Sequence, residues 1–232
     1  MTVLYEDNHI IAVNKTCNEI VQGDKTGDTP LSETVKAYIK AKYNKPGEVF
    51  LGVTHRLDRP TSGVVLFART SKALTRLNKM FKSHEQIRKT YWAIVQGAPK
   101  QPEARLEDWL IRNEAQNKSY IAKPGSKDAK QAILSYKTLA TGERYSLLEI
   151  NLETGRHHQI RCQLAAIGCP VKGDLKYGAK RSNPDGGICL HARKIEFEHP
   201  VSHEHVSIEA PVPEDSLWQA LTRSVTTQTA GV

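Results

Sequence analysis

The sequence lacks the features that mark exported, membrane-spanning or disulfide-bonded proteins. Its 232 residues include only four cysteines, at positions 17, 162, 169 and 189, and no Cys-x-x-Cys pair. This spacing encodes neither a disulfide framework nor a zinc knuckle. No apolar run is long enough to cross a bilayer, and the first seven residues have neither the basic nor the apolar segment of a signal peptide. We therefore expect an unexported, cytoplasmic protein with reduced thiols and no membrane partner.

Several catalytic motifs are also missing. The sequence contains no Gly-x-Ser-x-Gly elbow, no phosphate-binding loop and no cluster of metal ligands. It shows no internal repeat and no low-complexity linker, so we expect a single catalytic domain over residues 1–225, followed by a disordered tail over 226–232. We expect neither a cofactor nor a metal, and a monomer in solution.

Acidic residues are outnumbered. Lys and Arg total 33 against 25 for Asp and Glu, which gives a net charge of +8 and a pI near 9.3. A positive surface attracts polyanions, although many basic proteins bind no nucleic acid specifically. The imbalance is strongest over residues 69–89, where seven Lys or Arg accompany one acid, Glu85. This stretch is either a solvated face or a ridge that binds phosphates.

Hydrophobic periodicity predicts many short strands and about four helices. Residues 3–5 and 9–13 form a predicted hairpin, and further strands are predicted at 49–53, 64–68, 89–97, 104–111, 120–122, 129–139, 144–152 and 188–197. One helix should begin with Thr29 as N-cap and Pro30 as first residue, and a second should follow Ser71 as N-cap, with Leu74, Leu77, Phe81 and His84 on its apolar face. A third should begin near Thr154 or Gly155, and a short last one should include residues 215–221.

Residues 54–63 carry the most informative motif, Thr-His-Arg-Leu-Asp-Arg-Pro-Thr-Ser-Gly. An acid flanked by two arginines lies here between two strand-like segments, and a Pro-Thr-Ser-Gly turn follows it. An isolated Arg-Leu-Asp-Arg would be typical of a surface turn. The full decapeptide instead closely resembles the catalytic motif of RluA-type pseudouridine synthases, in which the Asp of His-Arg-Leu-Asp attacks the target uridine.

Two further motifs extend this resemblance over residues 3–221. Residues 89–97, Lys-Thr-Tyr-Trp-Ala-Ile-Val-Gln-Gly, match the family pattern Lys-x-Tyr-x-Ala-x-Val-x-Gly. Residues 154–161, Thr-Gly-Arg-His-His-Gln-Ile-Arg, match the third motif, and the segment Pro-x-x-Gly-Asp-x-x-Tyr-Gly follows at 170–178. The chain departs from the family at Thr16, where Asn-Lys-Pro is usual.

The resemblance implies a fold, a reaction and a set of site residues. The fold is α+β, a mixed and mostly antiparallel, bent sheet flanked by helices, with the active site in a central cleft. The reaction isomerises uridine in RNA, with Asp58 as catalytic residue, Arg161 as the cation that keeps it ionised and Tyr91 as the platform for the base. Arg56 would enter the RNA and displace the target nucleotide. The other residues implied in substrate binding are His55, Arg59, Thr61, Lys89, Arg156 and Leu164.

The residues leave several alternatives open. Arg59 serves either loop structure or a phosphate contact, and His55 is expected to pack or hydrogen-bond in the loop rather than act as an acid. The sequence His157-His158 beside Cys162 invites a metal site, but adjacent residues diverge on a helix. Arg156 and the two imidazoles at a helix start could also bind an anion.

For the whole protein, two functions are alternatives to a pseudouridine synthase: an inactive RNA-binding module and an Asp-nucleophile hydrolase. We expect the RNA to be a compact tRNA or rRNA stem-loop, because no RNA-binding domain precedes the first strand.

Overall fold

A computed structural model describes residues 1–83 and 86–229. The predicted place of His84 in the second helix, the acid Glu85, and residues 230–232 of the tail predicted over 226–232 therefore lie outside the described residues. Residues 226–229 of that tail instead continue the last helix, which ends at Thr229. In chain order the elements are β1 (Thr2–Glu6), β2 (Ile10–Lys15), α1 (Leu31–Lys42), β3 (Gly52–Val53), β4 (Ser62–Ala68), α2 (Ser71–Ser83), β5 (Ile87–Gln96), β6 (Glu103–Asn113), β7 (Lys118–Ala122), β8 (Lys130–Thr141), β9 (Tyr145–Leu152), α3 (Gln159–Ala166), a 3-10 turn (Leu175–Tyr177), β10 (Leu190–Glu198), β11 (His205–Glu209) and α4 (Ser216–Thr229).

The chain divides into two compact units. Unit 1 comprises Met1–Arg88 and Ala192–Pro211, and unit 2 comprises Lys89–His191 and the described part of Val212–Val232. The many strands and four helices of the described residues confirm the predicted α+β class. The expectation of one catalytic domain over residues 1–225 stays a prediction. Within the described part of the chain, no helix is both long and apolar enough to span a bilayer.

In unit 1 the strands β1, β2, β4 and β10 lie side by side, with β3 paired to β4 and β11 to β10. The predicted hairpin is confirmed, since β1 and β2 pair antiparallel. β2 and β4 are apolar on both faces because both faces are covered. On one face Ile10, Ala12, Val64 and Leu66 pack in a cluster with α2, and the alternate residues of both strands are also buried. The segment between β3 and β4, residues 54–61, is thereby anchored at both ends.

In unit 2 the strands follow the order β5-β9-β8-β6-β7, and each of these neighbours pairs antiparallel. The core combines inward residues of β5, β8 and β9 with Ile160 and Leu164 of α3 and with Trp218 and Leu221 of α4. The polar and apolar residues of β6 and β8 alternate because one face of these strands is solvated. Burial of Ile160 and Leu164 fixes α3, and so the position of Arg161 between them.

Two predicted helix caps are wrong. Pro30 occupies the N-cap of α1 with an extended backbone, φ −75° and ψ 154°, and makes no side-chain cap, so Thr29 has no capping role. At α2 the hydroxyl of Thr70, and not that of Ser71, accepts the hydrogen bond from the Ala73 amide at 3.2 Å. The predicted cap lies one residue before the observed N-cap at α1 and one residue after the capping side chain at α2, because hydrophobic spacing locates a helix but does not fix its first residue.

The third helix also begins later than predicted. α3 starts at Gln159, and residues 154–158 form the loop before it, with His158 in the left-handed region at φ 51°. The loop is held by the Gln159 side chain, whose Oε1 accepts hydrogen bonds from the Arg156 amide at 2.9 Å and the Thr154 hydroxyl at 2.8 Å. These local bonds compete with an earlier helical turn, so the helix begins only at Gln159.

Candidate active site

A buried lysine organises the turn that carries Asp58. Lys15, the last residue of β2, is fully buried, and the three N–H groups of its Nζ are shared among four main-chain carbonyls within hydrogen-bonding distance. The acceptors are the oxygens of Thr16 at 3.0 Å, Asp58 at 3.3 Å, Arg59 at 2.9 Å and Thr61 at 2.6 Å. Three of them belong to one turn, which the Thr61 amide closes by donating to the Asp58 carbonyl at 3.0 Å. The ammonium therefore fixes the backbone at Asp58 and over the three residues that follow it.

The positive charge of Lys15 strengthens these hydrogen bonds to the turn. Burial lowers the pKa of Lys15 to about 8. At neutral pH the side chain is still mainly protonated, so its bonds to the carbonyls are charge-assisted. The sequence motifs gave Lys15 no role in the site. The available signal was a lysine two residues after the apolar run of residues 10–13, in the same alternation as Ile11 and Val13, which places it inside.

The glycine that ends the motif is required by a close approach of two strands. Gly63 has φ +115°, and a Cβ atom there would lie 2.3 Å from the Ala192 carbonyl oxygen and 2.6 Å from the Ala192 nitrogen. Both neighbours are backbone atoms of β10, which cannot move aside as a side chain can. The Thr-Ser-Gly sequence thus lets β4 start against β10 immediately after the turn that carries Asp58.

His55 and Thr61 both face the protein rather than solvent. The Leu66 amide donates a hydrogen bond to His55 Nε2 at 3.0 Å, and the imidazole stacks on Phe81 with ring centroids 4.7 Å apart. His55 thus hydrogen-bonds and packs in the loop, as expected. Thr61 is 2% exposed, and within the described residues its hydroxyl has no hydrogen-bond partner. The substrate-binding roles of both residues stay predictions.

The two arginines of the motif have different surroundings. Arg56 is exposed. Arg59 is bound to the protein itself, with Asp28 Oδ2 at 2.7 Å from Nη1 and the Thr26 hydroxyl at 2.8 Å from Nη2. The hydrogen bond to Asp28 raises the pKa of Arg59, which stays charged. Of the two alternatives for Arg59, loop structure is the one seen here, because its guanidinium ties residues 24–28 to the turn.

In unit 2 a carboxylate and an aromatic ring hold Arg161. The guanidinium donates from Nε to Asp174 Oδ2 at 2.6 Å and from Nη2 to Asp174 Oδ1 at 2.9 Å. Its central carbon lies 5.1 Å from the centroid of the Tyr177 ring. Arg161 and Asp174 are almost completely buried, at 5% and 1% exposure. A planar guanidinium bound along one edge and on one face has a single orientation.

The ring that supports Arg161 is itself anchored through its hydroxyl. Tyr177 Oη accepts a hydrogen bond from the Ser119 amide at 2.8 Å and lies 3.0 Å from His158 Nδ1. Burial raises the pKa of Tyr177 to about 12, so the phenol stays protonated. The sequence motif at 170–178 contains Asp174 and Tyr177, but pattern reasoning assigned neither a role. The signal was an acid and an aromatic residue three positions apart in a motif-matched segment.

His157 and His158 precede α3, so the helical reason given against their sharing a ligand is wrong. Their rings stack, with centroids 3.8 Å apart and planes at 21°. His157 Nδ1 lies 2.9 Å from the Ser119 hydroxyl, and His158 Nδ1 bonds Tyr177. Both imidazoles therefore serve hydrogen bonds inside the protein. Among the described residues, no group of three or more His, Cys, Asp or Glu side chains could hold a metal ion.

The remaining predicted site residues of unit 2 lie in the loop before α3, in the core and on β5. Arg156 Nε donates to the Gln131 carbonyl at 2.8 Å, which uses this side chain to hold the loop before α3. Leu164 is fully buried in the core and offers no surface to a substrate in this conformation. Tyr91 and Lys89 lie on β5 and are partly buried, and burial lowers the pKa of Lys89. Their binding roles stay predictions.

Comparison with known proteins gives one consistent result. A family model described as RNA pseudouridylate synthase matches residues 9–166. The ribosomal large subunit pseudouridine synthase D of Xanthomonas campestris is 32% identical over 93% of this chain and 67% of its own length. The tRNA pseudouridine synthase C of Vibrio parahaemolyticus is 31% identical over 95% of this chain and 93% of its own length. The solved structure named "Human RNA Pseudouridylate Synthase Domain Containing 4" superposes on this chain with a TM-score of 0.78 at 21% identity. The match covers 97% of this chain and 93% of that one and shows the same fold.

The fold and the motif-bearing turn define an RNA-modifying isomerase of the pseudouridine synthase class. The chain belongs to the RNA pseudouridylate synthase family, as the resemblance of its RluA-type motifs predicted.

Proposed function

We propose that this protein converts uridine to pseudouridine in a structured RNA, a tRNA or rRNA stem-loop, with Asp58 as the nucleophile. One observation carries the proposal. Asp58 stands at the catalytic position of the family motif, in a turn whose carbonyls are fixed by the buried Lys15 ammonium. A nucleophile on a prearranged turn loses little freedom when the substrate arrives.

The reaction balances without a cofactor. The bond between N1 of uracil and C1′ of the ribose breaks, the base turns, and a bond forms between C5 and C1′. N1 gains a proton and C5 loses one, so no electrons are exchanged with a third group. The protein must supply an ionised carboxylate, a cation beside it, a dry pocket and a surface for the loosened base.

Each of these needs has a proposed residue. Arg161 keeps Asp58 ionised, because a carboxylate buried beside a base would otherwise take up a proton. Tyr91 stacks on the uracil, a contact worth about 1–3 kcal/mol per base. Arg56, exposed in the loop, enters the RNA and displaces the target nucleotide. The contacts of Arg161 support its role, because the hydrogen bond to Asp174 and the Tyr177 ring hold the guanidinium in one orientation.

RNA binding is assigned to the outer face of α2. Lys72, Lys79 and Lys82 are exposed there, whereas Arg76 donates to the Pro200 carbonyl and Arg69 pairs with Glu6 at 3.1 Å. The ridge proposed to bind phosphates therefore consists of the three lysines. Relatives named for ribosomal RNA and for tRNA support both substrate classes. We place the activity in the cytoplasm and in a monomer that contains no metal.

The test uses total RNA from a strain that lacks this protein. The RNA is incubated with wild type, with Asp58→Ala and with the nearly isosteric Asp58→Asn, and pseudouridine is then mapped. New sites formed by wild type and by neither variant are the expected result. Retained RNA binding without any new site in wild type would instead identify an inactive RNA-binding module. Sites formed equally by Asp58→Asn would remove Asp58 from catalysis.

A further inference from the structure

Unit 1 contains a pocket that the catalytic residues do not use. Its volume is about 390 Å³, within the range of small-molecule sites. The lining comes from the end of α1, the loop before β3 and the segment between β4 and α2, and includes Tyr43, Lys45, Phe50 and Arg69.

Two exposed aromatic rings line this pocket. Tyr43 is 43% exposed and Phe50 is 49% exposed, and the described residues contain few other large apolar side chains so open to water. Burying apolar surface is favourable by about 25 cal/mol per Å². A planar, partly apolar ligand would recover that free energy at the Phe50 ring.

One wall of the pocket is held in place before any ligand arrives. The Tyr43 hydroxyl donates to Glu6 Oε1 at 2.9 Å, and the Arg69 guanidinium lies 4.7 Å from the Tyr43 ring centroid. Arg69 and Lys42 both pair with Glu6, at 3.1 and 2.6 Å. A prearranged wall reduces the entropy lost on binding.

The charges favour an anion. Glu6, the acid that binds the Tyr43 hydroxyl, already pairs with Lys42 and Arg69. Lys45 is exposed and, within the described residues, makes no ion pair, while Glu48 is the one acid among the lining residues. A planar ring surface beside an available ammonium suits a nucleotide, whose base stacks and whose phosphate is anionic.

The pocket lies at the far end of β4 from the catalytic turn. Arg69 directly follows β4, and Thr61 directly precedes it. The strand between them separates the two ends by roughly 20 Å. At about 3.4 Å per stacked nucleotide, an RNA strand covers that distance with roughly six nucleotides. The pocket is thus too far from Asp58 to hold the target uridine, but within reach of the same strand.

We propose that this pocket binds a flanking nucleotide of the RNA substrate, with its base on Phe50 and its phosphate on Lys45. The proposal rests on the proposed function, because the ligand is a part of the same RNA. Remote binding of this kind strengthens the complex without touching the reacting atoms. Loss of the pocket should therefore raise KM and leave kcat near its wild-type value.

The test compares Phe50→Ala and Phe50→Leu with wild type, and Ile121→Ala, which removes a similarly exposed apolar side chain of unit 2, serves as control. The probe is a fluorescent twelve-nucleotide oligouridine, with anisotropy as readout. Both Phe50 variants should bind about 5- to 150-fold more weakly, the loss of one stacked base, and the control should bind like wild type. Phe50→Leu keeps an apolar side chain, so a folding defect in Phe50→Ala does not end the test.

Kinetics on the mapped substrate RNA complete the test. A raised KM at unchanged kcat in both Phe50 variants supports the pocket. Wild-type affinity and wild-type KM in both variants would overturn it, while pseudouridine formation by wild type keeps the proposed function intact. If the variants instead convert a dimer to a monomer in light scattering, the rings form an interface between copies of this chain, and the nucleotide site is wrong.

Discussion

Arg161 and Asp174 form a two-point ion pair inside unit 2, with donor–acceptor distances of 2.6 and 2.9 Å. Both residues are nearly inaccessible to solvent. A guanidinium bound along one edge to a carboxylate keeps its direction, and the other edge is thereby aimed. Asp174 is thus a positioning residue for the arginine proposed to serve Asp58.

Asp174→Asn should damage catalysis more than RNA binding. The amide keeps the shape but loses the charge and one of the two acceptors, so the guanidinium gains freedom. A misplacement of about 1 Å can cost about 100-fold in rate. We expect the single-turnover rate to fall by about 10- to 100-fold, with the RNA dissociation constant within about twofold of wild type.

Asp128→Asn, at an exposed turn of the same unit, is the control for that change. Circular dichroism at the assay temperature must show both variants folded, because a buried arginine without its partner also destabilises. An unchanged single-turnover rate in Asp174→Asn would exclude the positioning role.

Lys15→Met should disorder the turn that carries Asp58. Methionine fills a similar volume but donates no hydrogen bond, so the carbonyls of Thr16 and Thr61 lose their ammonium partner. Each buried acceptor left unpaired costs about 1–3 kcal/mol. We expect an at least tenfold lower single-turnover rate and a lower melting temperature, whereas Lys36→Met, on the outer face of α1, should change neither. Wild-type activity in Lys15→Met would show that the turn keeps its shape without the lysine.

The buried lysine should also make stability depend on pH. Its pKa falls to about 8 in the folded protein, against 10.5 for a free side chain. Between these pH values the unfolded chain binds a proton that the folded chain does not, so the free energy of unfolding rises with pH. Relative to Lys15→Met, wild type should gain up to about 3 kcal/mol from pH 8 to pH 10.5. Urea denaturation of both proteins at about pH 7.5 and about pH 9.5 measures part of this gain, and a pH-independent difference would contradict the low pKa.

The lysines of α2 should determine the salt dependence of RNA binding. Replacing Lys72, Lys79 and Lys82 by Gln removes up to three phosphate contacts. The slope of log affinity against log salt should therefore decrease by about 2–3. The control replaces three other exposed lysines, Lys25, Lys100 and Lys127, and should keep most of the slope. Equal slopes in both triple variants would mean that total charge, and not this ridge, attracts the RNA.

Hydrophobic patterns in the sequence predicted which segments form helices and strands better than they predicted where these begin and end. The continuous apolar runs of β2 and β4 and the periodicity of α2 identified these elements because burial of their side chains decides the structure there. The start of α3 was misplaced because the Gln159 side chain bonds the residues before it, a competition that hydrophobic spacing does not express.

The site was predictable in its residue types and not in its partnerships. The motif around Asp58 was recognised by resemblance, but Lys15 lies 43 residues away, and Asp174 lies 13 residues after Arg161 in a different segment. Such pairs depend on how strands and loops meet in space. Arg59 illustrates the point, because a sequence with two arginines beside one acid does not reveal that Asp28 holds one of them.

Gly63→Ala should be far more harmful than alanine at another glycine with a positive φ. At Gly63 the added Cβ would overlap backbone atoms of Ala192 at 2.3–2.7 Å, so the start of β4 and the adjoining turn that carries Asp58 must shift. Gly125 has φ +78° but no atom within 4 Å of an added methyl group, so Gly125→Ala meets only the left-handed backbone cost of about 1–2 kcal/mol. That cost lowers the melting temperature by about 2–8 °C for a chain of this size.

We expect Gly63→Ala to melt at least about 10 °C below wild type and to lose activity, because overlap with backbone is added to the same conformational cost. Equal melting temperatures for the two variants would show that β4 and β10 can separate at no cost at this position.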